Sequence, residues 1–330
     1  MFFRNNEFFA LKKEKKGAIY METKMSLQGI EREEWLQLRK TGLGGSDAGA
    51  VCGLNPYSSP LQVFYDKTSD EVKDNDNESM RQGRDLEEYV ARRFMEETGK
   101  KVRRSNYMYR SEEHPFMIAD VDRLVVGENA GLECKTANAY NADKWQDGKI
   151  PEHYLIQCYH YMAVTGKKSW YIAVVILGKE FKYAKISWDE EMIQNLITVE
   201  EDFWNHYVLT GKAPQPNGTE TDDKLLSQKY PEGRDKEVLP LNSFDANLCR
   251  RAEIQEQIRD LEQERGKIDQ AIKLYMGEHA IAESEKFRVT WQLVNLERMD
   301  SKTLKKEEPE TYQKYVKTMS SRRFVVNPAA

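Results

Sequence analysis

Apolar and polar positions along the chain fall into blocks whose period changes from one block to the next. Between residues 30 and 40, Trp35 and Leu38 form an apolar stripe behind the acidic turn Glu31–Glu34, which predicts a helix over Ile30–Lys40. A short helix is expected over Pro60–Lys67. Over Met80–Thr98, Leu86, Val90 and Phe94 recur at helical spacing, and Gly99 closes the run. Pro151–Val164 repeats that pattern with Tyr154, Gln157, Tyr161 and Val164, and Asp189–Leu209 predicts a further helix ending near Gly211. Between the helices lie strand-like runs: Tyr107–Tyr109, Phe116–Ile118, Leu124–Val126 and the segment from Leu132 onward. Ser169–Leu177 is nearly continuous apolar sequence, and Phe181–Ile186 alternates as its hairpin mate. This order predicts an α/β (α+β) core, a mixed central sheet flanked by helices.

The pattern changes again after Gly211. Pro214–Arg234 reads as linker by composition. Beyond it Ile254, Ile258, Leu261, Ile268, Ile272 and Tyr275 follow steps of four and three, with Arg265 as the break in the seam. That predicts a short coiled-coil-like helix ending at Gly277. Phe287–Leu293 reads as a strand, Ser301–Lys317 as a basic helix and Arg322–Val326 as a last strand. The expected organisation is a mobile extension over 1–25, a core over 26–211, a linker over 212–240 and a helical, small β-α-β appendage over 241–330. Met21 and Met25 are alternative starts.

Composition narrows the class. Apolar residues make up 39% and charged residues 32% of the chain, enough for a core in a polar, soluble protein. No run has transmembrane length, and no cleavable signal is evident. Cys52, Cys134, Cys158 and Cys249 are scattered, which points to reduced thiols in a cytoplasmic protein and away from a Cys-ligated metal. A net charge of −5 does not advertise a nucleic-acid binder, although binding depends on where basic residues cluster.

Candidate chemistry concentrates in Asp122–Lys135. In a strand alternate side chains share a face, so Glu133 and Lys135 sit together while Cys134 points the other way. A hairpin partner brings Asp122 into the same space. Two carboxylates and the Cys134 carbonyl make a hard-oxygen site suited to Mg²⁺, with the lysine placed to orient or help deprotonate a water. The same string also fits a surface hairpin of solvated charges, because such strings are common by chance. Thr41–Gly53, rich in glycine, predicts a helix start with Ser46 or Asp47 as N-cap. Its amides, with Arg39 as a bidentate partner, suit a phosphate, and a plain capped helix fits the pattern too. Glu87 lies at the edge of the Leu86/Val90 stripe, where a flanking charge or a further metal-site carboxylate would sit.

Taken in order, Trp35-x-x-x-Arg39-x-x-Gly42-x-Gly-Gly-Ser46-Asp47, Gly83-x-x-Leu-Glu87, Asp122…Glu133-x-Lys135 and Tyr154-x-x-Gln157 form one set. Over roughly 31–207 it resembles the YqaJ-type viral recombinase family, relatives of the lambda exonuclease in the PD-(D/E)xK superfamily. The resemblance implies a restriction-endonuclease-like core and a Mg²⁺-dependent 5′→3′ exonuclease, with Mn²⁺ as a substitute ion. Such an enzyme degrades one strand of linear double-stranded DNA and leaves 3′ single strands for recombination. It further implies a homo-oligomeric ring, a trimer, and a RecT-like single-strand annealing partner in a phage- or prophage-bearing cell. By resemblance Asp122, Glu133 and the Cys134 carbonyl hold the metal, Lys135 acts on the water, and Glu87 serves near a second metal position. Gln157 orients the phosphate, and Arg39 with Ser46 grips the 5′-phosphate. One departure is Val121-Asp122-Arg123 where the family often has Pro-Asp-Gly, which keeps Asp120 in view beside Asp122. The alternatives are an endonuclease or junction resolvase of the same superfamily, and a DNA-binding recombination scaffold that does not cut.

Overall fold

The computed structural model describes residues 24–72, 74, 76–233 and 238–327. The chain divides into two compact units at Lys229/Tyr230. The first carries β1 (Lys24–Ser26), α1 (Arg32–Lys40), α2 (Gly45–Val51), α3 (Pro60–Thr68), α4 (Glu78–Thr98), β2 (Val102–Arg104), β3 (Tyr107–Arg110) and β4 (Ile118–Asp120). It continues through β5 (Arg123–Val125), β6 (Ala130–Ala137), α5 (Glu152–Thr165), β7 (Ser169–Ile176), β8 (Glu180–Ser187), α6 (Glu190–Phe203) and α7 (Glu220–Lys229). Most of the extension expected over 1–25 lies outside the described residues. Its last two residues differ from expectation: Lys24 and Met25 begin β1, which pairs with β3 because Met25 has an apolar cluster to cover.

The central sheet runs β2-β5-β6-β7-β8, with β6 and β7 parallel and the other pairs antiparallel. β7 lies inside the sheet, and it is apolar on both faces. Trp170, Ile172, Val174 and Ile176 enter the cluster that holds Cys158, Tyr161 and Met162 of α5. Tyr171, Ala173 and the half-buried Val175 pack on Val90, Ala91 and Phe94 of α4. Burial on both faces turns alternation into a continuous apolar run. In β6 the residues facing α4 include Ala130, Leu132 and Cys134. The opposite face carries Gly131, Glu133 and Lys135. Gly131 has to be glycine, since a Cβ there would meet the Trp170 indole at 2.3 Å. The mixed sheet between α4 and α5 is the α/β core expected from the pattern.

A small second sheet, β1-β3-β4, adjoins the core through α5. His160 of α5 fixes this junction from inside. Its Nδ1 lies 2.8 Å from Glu200 of α6, and its Nε2 lies 2.8 Å from the Ile118 carbonyl of β4. Both ring nitrogens face acceptors, an arrangement an imidazolium satisfies. Burial opposes the charge, but Glu200 and the carbonyl outweigh it and raise the His160 pKa above the ordinary histidine value.

The segment read as linker is partly structured. Glu220–Lys229 is helical, and its buried Asp222 accepts hydrogen bonds from the Ser59 hydroxyl at the N-cap of α3 and from the Asn217 amide. A composition reading saw Asp222 as one more polar linker residue, without the buried cap it serves.

The second unit contains α8 (Asp245–Met276), the hairpin β9 (Ile281–Glu283) and β10 (Arg288–Thr290), α9 (Ser301–Glu307) and α10 (Pro309–Tyr315). Two expectations change here. The basic helix breaks at Glu308 because Pro309 opens a new one. Arg322–Val326 forms no strand, so the small β-α-β motif becomes a hairpin followed by two short helices. No described helix is long and apolar enough to cross a membrane.

Candidate active site

The site grows from a place where two strands part. β5 and β6 are registered at Arg123↔Leu132 and Leu124↔Gly131. One residue earlier the chain turns away at Asp122, the corner between β4 and β5. The Asp122 carboxylate takes the place of the departing strand: its Oδ2 accepts a hydrogen bond from the Cys134 amide at 2.8 Å. A strand residue directs its N–H and C=O to the same edge. The Cys134 carbonyl therefore opens on the side of Asp122. Asp120 is occupied elsewhere, accepting from the Trp35 indole at 2.8 Å. Of the two acids, Asp122 is the one joined to β6.

Glu133 and Lys135 share the face toward α5, as alternation requires. Glu133 is only 3% exposed. Its Oε1 receives Lys135 Nζ at 2.6 Å and Gln157 Nε2 at 2.8 Å. Its Oε2 is shut off from solvent and has no hydrogen-bond partner. Gln157 Nε2 also reaches the Tyr161 hydroxyl at 2.7 Å, so the amide holds Glu133 against α5. The Lys135 ammonium lies 4.6 Å from the Tyr154 ring centroid, a cation–π contact. Sequence singled out Glu133, Lys135, Gln157 and Tyr154, and all four meet here.

The electrostatics of this cluster are lopsided. Burial, then the charges of Glu133 and Glu87, push the Asp122 carboxyl well above the ordinary range. Burial works against the Lys135 ammonium, but Glu133, Tyr154 and Asp122 prevail and hold its pKa above that of a free lysine. The neighbouring carboxylates therefore favour the ammonium form of Lys135, a hydrogen-bond donor.

Among the described residues, no three His, Cys, Asp or Glu side chains converge into a metal cage. A magnesium ion does not require one, because it commonly takes one or two carboxylates and keeps several waters. The unpartnered Glu133 Oε2, the crowded Asp122 carboxyl and the Cys134 carbonyl are oxygen donors of the kind such an ion takes.

Glu87 approaches from α4 on the other side of the sheet. Its Oε1 is bound by Arg123 Nη1, which also donates to the Asp122 carbonyl at 2.9 Å. Arg123 Nη2 reaches Glu88 at 3.0 Å. Arg123 is 3% exposed and ties the helix carboxylates to the corner. Sequence reading passed over it. The signal available was an arginine opening an apolar strand, since a buried guanidinium has to find carboxylates.

Arg39 and Ser46 meet beside this centre. Arg39 Nη2 donates to Ser46 Oγ at 2.8 Å and lies 3.5 Å from Asp47 Oδ1. Lys67, buried, contacts Asp47 Oδ2 at 2.6 Å and the Arg39 carbonyl at 2.8 Å. Burial would raise the Asp47 pKa, yet Lys67 and Arg39 lower it overall. Lys67 is buried against Asp47, with Asp66 also nearby, so the partly exposed Arg39 guanidinium is the cation presented beside Ser46. The helix start itself differs from expectation. Gly44 is the N-cap, and Ser46 and Asp47 lie within the first turn, with Asp47 accepting the Gly44 amide at 2.8 Å. Gly45 lets α2 press on α5, since a Cβ there would meet Tyr161 at 2.5 Å and Gln157 at 3.0 Å. The Arg39–Ser46 pair is thereby fixed next to Gln157.

Residues 34–168 match the model of the YqaJ-like viral recombinase domain. The chain is 36% identical over 299 residues to protein YqaJ of Bacillus subtilis (strain 168), covering 89% of this chain and 94% of that one. Similar solved structures include an alkaline exonuclease of Laribacter hongkongensis, with a TM-score of 0.46 at 20% identity over 60% of this chain and 98% of that chain. A phage-related exonuclease from Haemophilus somnus 129PT gives a TM-score of 0.40 at 13% identity over 52% and 96%. The long match to the Bacillus protein, which spans both units, decides the assignment: the chain belongs to the YqaJ-like viral recombinase family.

Proposed function

We propose that the chain is a Mg²⁺-dependent 5′→3′ exonuclease that degrades one strand of linear double-stranded DNA from its ends. The observation that carries this reading is the buried Glu133, bound on one oxygen by Lys135 and Gln157 and bare on the other, beside the Asp122 carboxylate. Asp122, Glu133 and the Cys134 carbonyl would hold the ion in a PD-(D/E)xK-like centre, and Glu87, now paired with Arg123, would serve a second position. When bound, the cation takes up charge on the phosphate oxygens and lowers the pKa of the attacking water. Gln157 keeps Glu133 in one orientation. Lys135, as an ammonium, donates toward the attacked phosphate or its water and aligns them. Arg39 and Ser46 offer a guanidinium and a hydroxyl to a terminal 5′-phosphate. By family resemblance the reading extends to a ring of three subunits, to Mn²⁺ as a substitute ion and to a RecT-like annealing protein in the cytoplasm.

The test is one linear duplex labelled at either end, incubated with and without Mg²⁺. Mononucleotides released from the 5′ end only with the metal support the reading. Internal cuts in closed circular DNA would replace it with the endonuclease reading. Binding without any cleavage would leave a recombination scaffold.

A further inference from the structure

Beyond Lys135 the aromatic contacts do not stop at Tyr154. The His153 ring centroid lies 4.0 Å from that of Tyr154, and Tyr57 stands edge-on to His153 at 6.1 Å and 80°. Trp145 stacks on Tyr154 at 5.8 Å and 27°. A file of rings thus leads from the candidate catalytic lysine outward and ends at Tyr57, whose side chain is 67% exposed.

A single exposed tyrosine is ordinary on a protein surface. Tyr57 differs because its backbone is tied down. The Leu54 and Asn55 amides donate to the Gly49 carbonyl at 2.9 and 3.1 Å, and the Asn55 side chain accepts the Tyr57 amide at 2.9 Å. Two residues on, Ser59 caps α3 through the Gln62 amide. The ring behind it is equally fixed. A Cβ on Gly49 would lie 3.0–3.1 Å from His153, so α2 is pressed against that residue. His153 Nε2 is closed off from solvent and has no hydrogen-bond partner. Burial, with Lys135 and Lys144 nearby, pushes its pKa down to about 4, so the imidazole is neutral at physiological pH. A neutral ring offers a flat π face and no charge for a phosphate. A fixed aromatic loses little freedom on binding, which favours recognition.

We propose that Tyr57, backed by His153 and Tyr154, is a stacking platform for an unpaired nucleobase at the DNA end held beside Lys135. The proposal rests on the nuclease reading for its substrate, and it adds a contact to the base where the other expected contacts reach phosphate. Stacking tolerates any base, because every base has a π face. The platform therefore suits an enzyme that advances through sequence without preference. It would hold the terminal nucleotide out of the duplex.

The experiment pairs two substrates with three proteins. Single-turnover rates are measured on 5′-phosphorylated duplexes whose terminal nucleotide is intact or abasic, with wild type, Tyr57→Ala and Tyr57→Phe. Wild type should lose about 5- to 100-fold on the abasic end, the size of one aromatic–base stack. Tyr57→Ala should show that loss on the intact end and little more on the abasic one. Tyr57→Phe keeps the ring and should restore the rate. Equal losses by Tyr57→Ala on both ends, or no loss on either, would overturn the platform. A second measurement works without turnover: a 2-aminopurine at the terminal position, read without Mg²⁺ at saturating protein. Stacking quenches its fluorescence in the wild-type complex and not in the Tyr57→Ala complex. If wild type cuts no DNA, the nuclease reading fails by itself, and the quench still decides the platform. Bound DNA without a quench in wild type refutes it.

Discussion

At the scale of single residues, the site is built from charges that constrain one another. Glu133 would be an unfavourable buried carboxylate without Lys135 and Gln157, and Arg39 is oriented by Ser46 and Asp47. Which side chains share a face was legible in the sequence wherever strand alternation decides it, as for Glu133 and Lys135. What was not legible is the partner of each charge. Arg123 and Lys67 are far in sequence from the carboxylates they neutralise, so no local spacing announces them. These partners also make one substitution informative. In Arg39→Ala, Lys67 still neutralises Asp47, so the fold is retained. The rate on 5′-phosphorylated ends should fall about 10- to 100-fold, the value of a charge-assisted hydrogen bond, with little change on 5′-hydroxyl ends. Initial rates on the two ends check this, and an equal loss on both assigns Arg39 a structural role.

At the scale of elements, pattern located most helices and strands of the core because each has an apolar face with one period, while α7 and the elements after β10, which lack one, were read differently. It could not foresee the corner at Asp122, where β4 and β5 enter different sheets, since that break depends on which strands pair. Nor did it foresee His160, which reads as one more position on an apolar helix while it joins α5, α6 and β4. Replacing it by leucine leaves Glu200 buried without its partner and should cost about 3–5 kcal/mol. The pH dependence has a definite sign. A histidine whose pKa is raised by folding binds its proton more tightly in the native state. Its stabilisation is therefore complete below the unfolded value, about 6.5, and is lost as pH rises through the folded pKa. Urea denaturation of wild type and His160→Leu measures the cost of the substitution. An NMR titration of the His160 ring protons in the folded wild type reads the pH dependence without a variant, since removing His160 would also set the buried Glu200 titrating: the imidazolium should persist above pH 6.5. A ring already neutral at pH 6.5 would contradict the charged pair.

At the scale of the whole molecule, the apolar seam of α8 was legible, and Ile254, Ile258, Leu261 and Ile268 are exposed in the chain as described. The boundary between units falls inside the segment expected as linker, and the Asp222 latch on Ser59 carries the first unit past Gly211 to Lys229. A chain ending at Lys229 should fold with the full stability of that unit. One ending at Gly211 strips a buried hydroxyl of its acceptor and should be less stable by about 1–3 kcal/mol. Thermal unfolding of the two truncations checks the order, and equal midpoints would make α7 dispensable. The central claim, that Asp122, Glu133 and Lys135 form a hydrolytic centre, is tested most directly at the lysine. Single-turnover cleavage and equilibrium binding of one 5′-phosphorylated duplex are measured for wild type and Lys135→Ala. The account predicts binding within about threefold and cleavage slower by about 100-fold or more, the usual scale for a group that positions or transfers a proton. Cleavage by Lys135→Ala near the wild-type rate would contradict it and return the lysine to the ordinary charges of a strand.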